Sequence, residues 1–316
     1  MAAKLPLIAK KNIRDEYTAK IPGLQEKLKE YTGEDYEFIS LPDFDVLFQG
    51  INQDESYQKE SIGTIAYNAY ESLVDKIKYI LQSNDEEIFK AHFNQVVSAR
   101  KIVIVIEDMP SGYACCRVKD GVLELVYKTQ NYGTNTSYLA DELQKELDKA
   151  FAATNKGELP LSARLGFKQD FLDKKEKLEE DIAEELEGNK ITLVADPAEI
   201  WRLAVEEFDK LKKRDQSEID LESVGRNMGA AIFAYFEGFK SALNYQFKQD
   251  EMMIEGFLDL CPKKEVHFKL VPKGSLSKDR SYNDGIFEDD AYVIRATPQT
   301  WYTNVSYACD QLEKLL

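Results

Sequence analysis

Two stretches of this chain, 134–147 (TNTSYLADELQKEL) and 303–316 (TNVSYACDQLEKLL), align without a gap and agree at 8 of 14 positions. Unrelated segments of that length share roughly one residue by average usage. The pattern reads as an internal duplication, and further segments repeat in the same order. Residues 38–48 lie over 191–201, matching Asp43 to Asp196 and Phe48 to Trp201, and Ser61-Ile-Gly63 lies over Ser223-Val-Gly225. The apolar run Ile102 to Ile106 precedes a turn at Asp120-Gly121, as Val266 to Leu270 precedes one expected at Asp284-Gly285. The offset grows from 153 residues at Phe38 to 169 at Thr134, which short loop insertions in the second copy accommodate. Solenoid units recur at roughly 20 to 50 residues, so a repeat of this size is a whole domain. The expected division is 1–155 and 156–316, each half folding around its own core and the two arranged about a pseudo-two-fold axis.

Within each half the periodicities define the same series of elements. A first helix is predicted near 21–31, with Leu24, Leu28 and Tyr31 at helical spacing and Gly33 as stop signal; its counterpart is 171–186, stopped by Gly188. Strands follow at 36–41 and 190–194. A long core helix then carries Ile65, Ala69, Leu73, Ile77 and Ile80 on one side, matched by Met228, Ile232, Phe236, Phe239 and Leu243. Short helices at 86–97 and 252–260 come next. Strands are predicted at 101–107, 114–118 and 122–127, the last two flanking Lys119-Asp-Gly121, the turn chemistry of a type I′ hairpin. The second half offers 265–271, a strand around Asn283-Asp-Gly285, and 291–296. Each half ends in a helix starting at Thr-Asn-x-Ser-Tyr. The order α, β, α, α, β, β, β, α indicates an α+β fold, an antiparallel sheet with helices packed on one face.

Charge narrows the function. A net charge of -16 argues against nucleic acid and anionic membranes, whose binding requires clustered Lys and Arg. The one basic stretch, Lys210 to Arg214, is flanked by Glu206, Glu207, Asp209 and Asp215 and reads as a solvated helix face of mixed charge. Glu179, Glu180, Glu184 and Glu185 read as the wet side of a helix, which a basic partner could use. No apolar stretch spans a bilayer, the first six residues lack a signal-peptide core, and four cysteines without CxxC spacing suit reduced thiols. A cytoplasmic protein is expected.

Catalytic signatures are weak. The two histidines, His92 on a helix surface and His267 on a strand, fall at non-equivalent places in the two halves. Lys156-Gly157 and Lys273-Gly274 lack Walker context and read as loops. The segment 279–290 has oxygen side chains at several calcium-loop positions, but its glycine and last ligand are misplaced, so it reads as a hairpin loop. The Asp43 and Asp45 pair reads as turn-stabilising. Neither a cofactor nor a metal is expected.

The shared Thr-Asn-x-Ser-Tyr carries the candidate site. Asn135 and Asn304, or the Thr before each, are expected to cap the last helix, beside Tyr132 and Trp301, with Tyr138 and Tyr307 completing the motif as a ligand or partner surface. The first functional expectation is a non-enzymatic binding, scaffold or self-assembling protein of two duplicated domains. A second is a carrier or enzyme for a small apolar or aromatic molecule in a cleft between the copies. A third is an acidic inhibitor or immunity-type protein that docks on a basic partner.

Overall fold

The computed structural model describes residues 5–40, 43–51, 56–83, 85–109, 111–128, 130–155, 157–248 and 250–316. Position 41 of the first expected strand, Lys156 of the first lysine-glycine pair and positions 1–4 of the N-terminal segment lie outside these. The chain divides into two compact units, Met1–Thr154 and Asn155–Leu316. Among the described residues no helix is long and apolar enough to cross a membrane.

The first unit opens with α1 (Leu7–Asn12), a π-helical turn (Ile13–Thr18) and α2 (Ile21–Thr32), which stops where Gly33 takes a φ of 76°. After β1 (Glu37–Ser40), Asp43 starts α3 (Phe44–Gly50) by accepting the Val46 N–H at 2.9 Å. Next come α4 (Ser56–Glu60), the long α5 (Ile62–Ser83) and α6 (Glu86–Val96), whose N-cap Asp85 accepts from Ile88 at 3.0 Å. The strands β2 (Lys101–Glu107), β3 (Ala114–Lys119) and β4 (Val122–Lys128) precede α7 (Leu143–Thr154). The apolar stripe predicted for α5, Ile65 to Ile80, is buried throughout.

The second unit has α8 (Leu161–Gly166), a π-helical turn (Phe167–Leu172), α9 (Asp173–Glu185), β5 (Thr192–Ala195), α10 (Pro197–Lys210), α11 (Leu221–Arg226) and α12 (Met228–Ala242). A third π-helical turn (Leu243–Phe247) leads to α13 (Glu251–Leu260), then β6 (Glu265–Leu270), β7 (Asn283–Glu288) and β8 (Ala291–Ala296). Asp196 caps α10 as Asp43 caps α3, accepting from Ala198 and Glu199 at 2.9 and 3.1 Å. In the core Tyr235 and Phe239 of α12 pack against Phe268 and Tyr292 of the sheet, while Phe236 stacks on Phe171.

Both sheets are mixed, not antiparallel. The orders are β1-β2-β4-β3 and β5-β6-β8-β7, with the first two pairings parallel and only the last antiparallel. Turn chemistry fixes only the final hairpin. The helices between β1 and β2 supply the crossover a parallel pair needs, and the segment after β2 carries β3 to the edge so that β4 returns beside β2. The middle strands also depart from one-sided cover. Ile102 to Ile104 and Ala291 to Ile294 are buried in succession, so both faces there are covered, whereas β6 alternates.

Several local expectations change. The second hairpin turns at Asp289-Asp290 (φ 52° and 61°), while Asn283-Asp-Gly285 lies within β7. Gly285 is required there because its missing Cβ leaves room for the Tyr292 hydroxyl. The second unit ends not in an α-helix but in 3-10 turns at Val305–Tyr307 and Leu312–Leu315. In the latter the Glu313 N–H is drawn away to Gln246 Oε1 at 2.9 Å. The basic stretch is not a helix face either: α10 ends at Lys210, residue 211 is a bend and residues 213–215 form a turn.

Candidate functional site

The Thr-Asn-x-Ser-Tyr loops follow one backbone course in both units. Asn135 and Asn304 sit in the left-handed region (φ 58° and 53°), two residues after a second left-handed position held by Gly133 (86°) and Tyr302 (58°). Asparagine is among the few side chains that tolerate this region. Each loop then closes a 3-10 turn in which the tyrosine N–H reaches the asparagine carbonyl, Tyr138 to Asn135 at 2.9 Å and Tyr307 to Asn304 at 3.0 Å. Neither asparagine side chain caps the turn, correcting the expected N-cap. The motif is a chain reversal, and its asparagine is chosen for φ.

That reversal lays the loop along the long helix. In the first unit Ser72 Oγ of α5 donates to the Ser137 carbonyl at 3.4 Å, and Lys76 pairs with Asp141 at 3.7 Å. In the second, a Cβ on Gly238 of α12 would come within 2.9 Å of the Val305 carbonyl. The candidate aromatics consequently separate into two kinds. Tyr132 is 1 % exposed, donates to the Ile62 carbonyl at 3.1 Å and packs edge-on against Tyr127, and Trp301 packs edge-on against Phe268. Burial pushes the Tyr132 phenol well above its ordinary value. These two are core anchors. Tyr138 and Tyr307, in contrast, are 64 % and 59 % exposed.

Two exposed tyrosines that sequence reading missed lie on the elements the loops pack against. Tyr79 of α5 and Tyr245 of the π-helical turn after α12 are both exposed. Tyr79 lies two helical turns beyond Ser72, on the face the loop follows, and the Lys76 ammonium stands 5.9 Å from its ring. Tyr245 adjoins Gln246, whose amide donates to the Cys309 carbonyl at 2.8 Å, beyond the second loop. The signal available in the sequence was a polar helix face carrying a lone aromatic. Beside the first loop is a groove lined by Asn68, Glu71, Asp75, Lys76, Ser137 and Asp141.

The acidic face of α9 is partly occupied. Glu179 accepts the Leu193 backbone N–H of β5 at 2.8 Å, and Glu185 accepts from the Asn244 amide at 3.0 and 3.1 Å. Glu180 and Glu184 are exposed, Glu180 standing 3.6 Å from Lys177.

Other chemistry-bearing groups have structural surroundings. His92 is not on the surface: it is fully buried in α6 against Phe151, with ring centroids 4.8 Å apart. His267 meets Glu265 at 2.9 Å on β6. All four cysteines are free thiols, and burial pushes Cys116 and Cys309 up to about 12, so neither is a thiolate nucleophile at neutral pH. Asp284, in the calcium-like segment, is held by Arg295 at 2.8 and 2.6 Å and by the Ser277 N–H at 2.7 Å. Among the described residues no group of three or more His, Cys, Asp or Glu is placed to hold a metal ion.

Comparison of the chain with protein-family models, with curated proteins and with solved structures finds no match.

Proposed function

We propose that the chain arose by tandem duplication of one α+β unit and is a non-enzymatic binding or scaffold protein. Each unit would present its partner, or another copy of the chain, with an exposed tyrosine at the reversal loop. Support for the common origin comes from the shared strand order and senses, the helix, π-turn, helix opening of both units, and the matched left-handed asparagines. The observation that carries the binding reading is the exposure of Tyr138 and Tyr307 at equivalent points, on loops fixed by well-buried aromatics. Tyrosine brings large contact area with little conformational freedom to lose, so it is enriched where proteins meet. A rigid loop further lowers the entropic cost of association.

The test is association in solution. Light scattering behind size exclusion, and capture of partners on immobilised protein, should reveal self-assembly or a stoichiometric partner that is lost in the double variant Tyr138→Ala and Tyr307→Ala. Both side chains are exposed, so the variant should melt as the parent does. A monomer whose captured partners are indifferent to the two substitutions overturns the reading. The acidic-inhibitor reading has less support, because Glu179 and Glu185 are engaged within their own unit. A basic partner would meet Glu180 and Glu184 alone.

A further inference from the structure

One departure between the two sheets lies between the second and third strands. Residues 108–113 join β2 to β3, whereas 271–282 (VPKGSLSKDRSY) join β6 to β7 and carry three cations and three serines. This segment leaves the carboxyl end of β6. Because β8 runs parallel to β6, with Leu270 opposite Ala296, the chain after β8 emerges at the same edge, and the Val271 N–H bonds the Ala296 carbonyl at 2.8 Å. Ligand crevices of open sheets form outside the carboxyl ends of parallel strands, where loops diverge and side chains converge.

A groove of about 270 Å³ opens there, walled by Lys273, Lys278, Arg280, Ser277 and Ser281 and floored by Gln299. No carboxylate lines it. Its cations are held differently. Arg280 is anchored by Asp310, and Lys273 reaches Glu218 at 3.0 Å, while Lys278 makes no ion pair among the described residues. Ser277 Oγ accepts from Arg295 at 3.5 Å, which leaves its own O–H to donate. The buried Oε1 of Gln299 has no hydrogen-bond partner among the described residues. In a chain of net charge -16, Asp310 and Glu218 offset Arg280 and Lys273, so the uncompensated charge at this recess is that of Lys278.

We infer that this groove binds the phosphate of a small phosphomonoester. A dianion suits the site because Lys278 lacks a counterion and Arg280 is pre-oriented by Asp310 without being buried away from the groove. The volume is near the lower end for ligand sites, room for a phosphate and a few further atoms against Leu276. The first unit, with a loop half as long and no lysine or arginine in it, offers no equivalent.

The inference is tested on the full chain by calorimetric titration and thermal melting with orthophosphate and with glycerol 3-phosphate, at constant ionic strength. Saturable binding in the millimolar range or tighter, with a rise in melting temperature that follows mass action, is expected from both. Lys278→Glu should weaken it at least ten-fold, and Ser281→Asp should do likewise. Lys213→Glu, an exposed lysine elsewhere, makes the same charge change and should leave binding intact. Absence of saturable binding, equal binding of sulfate, unaltered affinity in both groove variants, or an equal loss in Lys213→Glu overturns the proposal.

Discussion

Two glycines show what the finest scale demands. A Cβ on Gly63 would lie 2.6 Å from the Ile13 Cα, and one on Gly229 would lie 2.9 Å from the Phe167 Cα and overlap the Gly166 carbonyl. In both units the long helix therefore crosses the opening helical segment, backbone against backbone, just where α-helix gives way to π-helix. The paired Ser-x-Gly segments of the sequence suggested Gly63 and Gly225 as counterparts, but Gly225 meets only ordinary contacts, the nearest at 3.4 Å. Identity of letters misled there, because the close approach selects glycine by distance and leaves neighbouring residues free. Gly229→Ala should cost on the order of 1–3 kcal/mol or more, the range for overpacking, because the obstructing atoms are backbone. Gly225→Ala should change stability by well under 1 kcal/mol in the same denaturant titration, since alanine also favours helix. Similar losses in the two variants would refute the backbone-contact account.

At the scale of elements, legibility followed the strength of local pattern. The first hairpin's strands, β8 and α13 are legible to within a residue or two, and the stripes of α5 and α12 are buried as expected, because turn chemistry and apolar stripes are written locally. The second hairpin's turn is misplaced in the sequence reading because Asn283-Asp-Gly285 looks like a turn but lies within β7. Strand sense is not legible, since a parallel pairing is decided by crossovers many residues long. Likewise Asp43 and Asp196 pair in the sequence as turn residues, whereas in the structure they are the N-caps of α3 and α10. Within the candidate site the asparagines were found, but their use was misassigned, because a left-handed φ and a side-chain cap favour the same residue type. The β7–β8 hairpin also offers a pH test. Burial opposes ionisation of Asp284, yet its bonds from Arg295 and Ser277 outweigh that and hold its carboxyl below the ordinary value. A depressed carboxylate stabilises the fold above its unfolded pKa, about 3.9, and the benefit is lost as pH falls through the lower folded value. Asp284→Asn should therefore cost about 3 kcal/mol at pH 7, as when one partner of a buried pair is removed. The gap between variant and parent should narrow below about pH 4. Urea midpoints at pH 7 and pH 3 measure it, and a constant gap would refute it.

For the molecule as a whole, the governing fact is that its apolar residues are gathered unit by unit. The contiguous core of the second unit runs from Ala163 to Leu312 and includes helices α8 to α13 and the sheet. A segment of that length, about 160 residues, can bury the fraction of its surface that independent domains bury. Residues 155–316 produced alone should consequently fold, with a cooperative urea transition and near-ultraviolet dichroism from Trp201 and Trp301, which are both buried in that core. Phe239→Ala, which empties space beside Phe257 and Tyr292, should lower the stability of that fragment by about 3–5 kcal/mol. The same substitution in the full chain should shift the transition that reports on Trp201 and Trp301 by a comparable amount. If the fragment instead shows a broad, non-cooperative transition with helical far-ultraviolet signal but no near-ultraviolet signal, its core is incomplete without the first unit. A fragment that folds alone bears on the binding reading as well: a loop seated on its own folded unit keeps Tyr307 in place whether or not residues 1–154 are present, so partner capture dependent on Tyr307 should persist in that fragment.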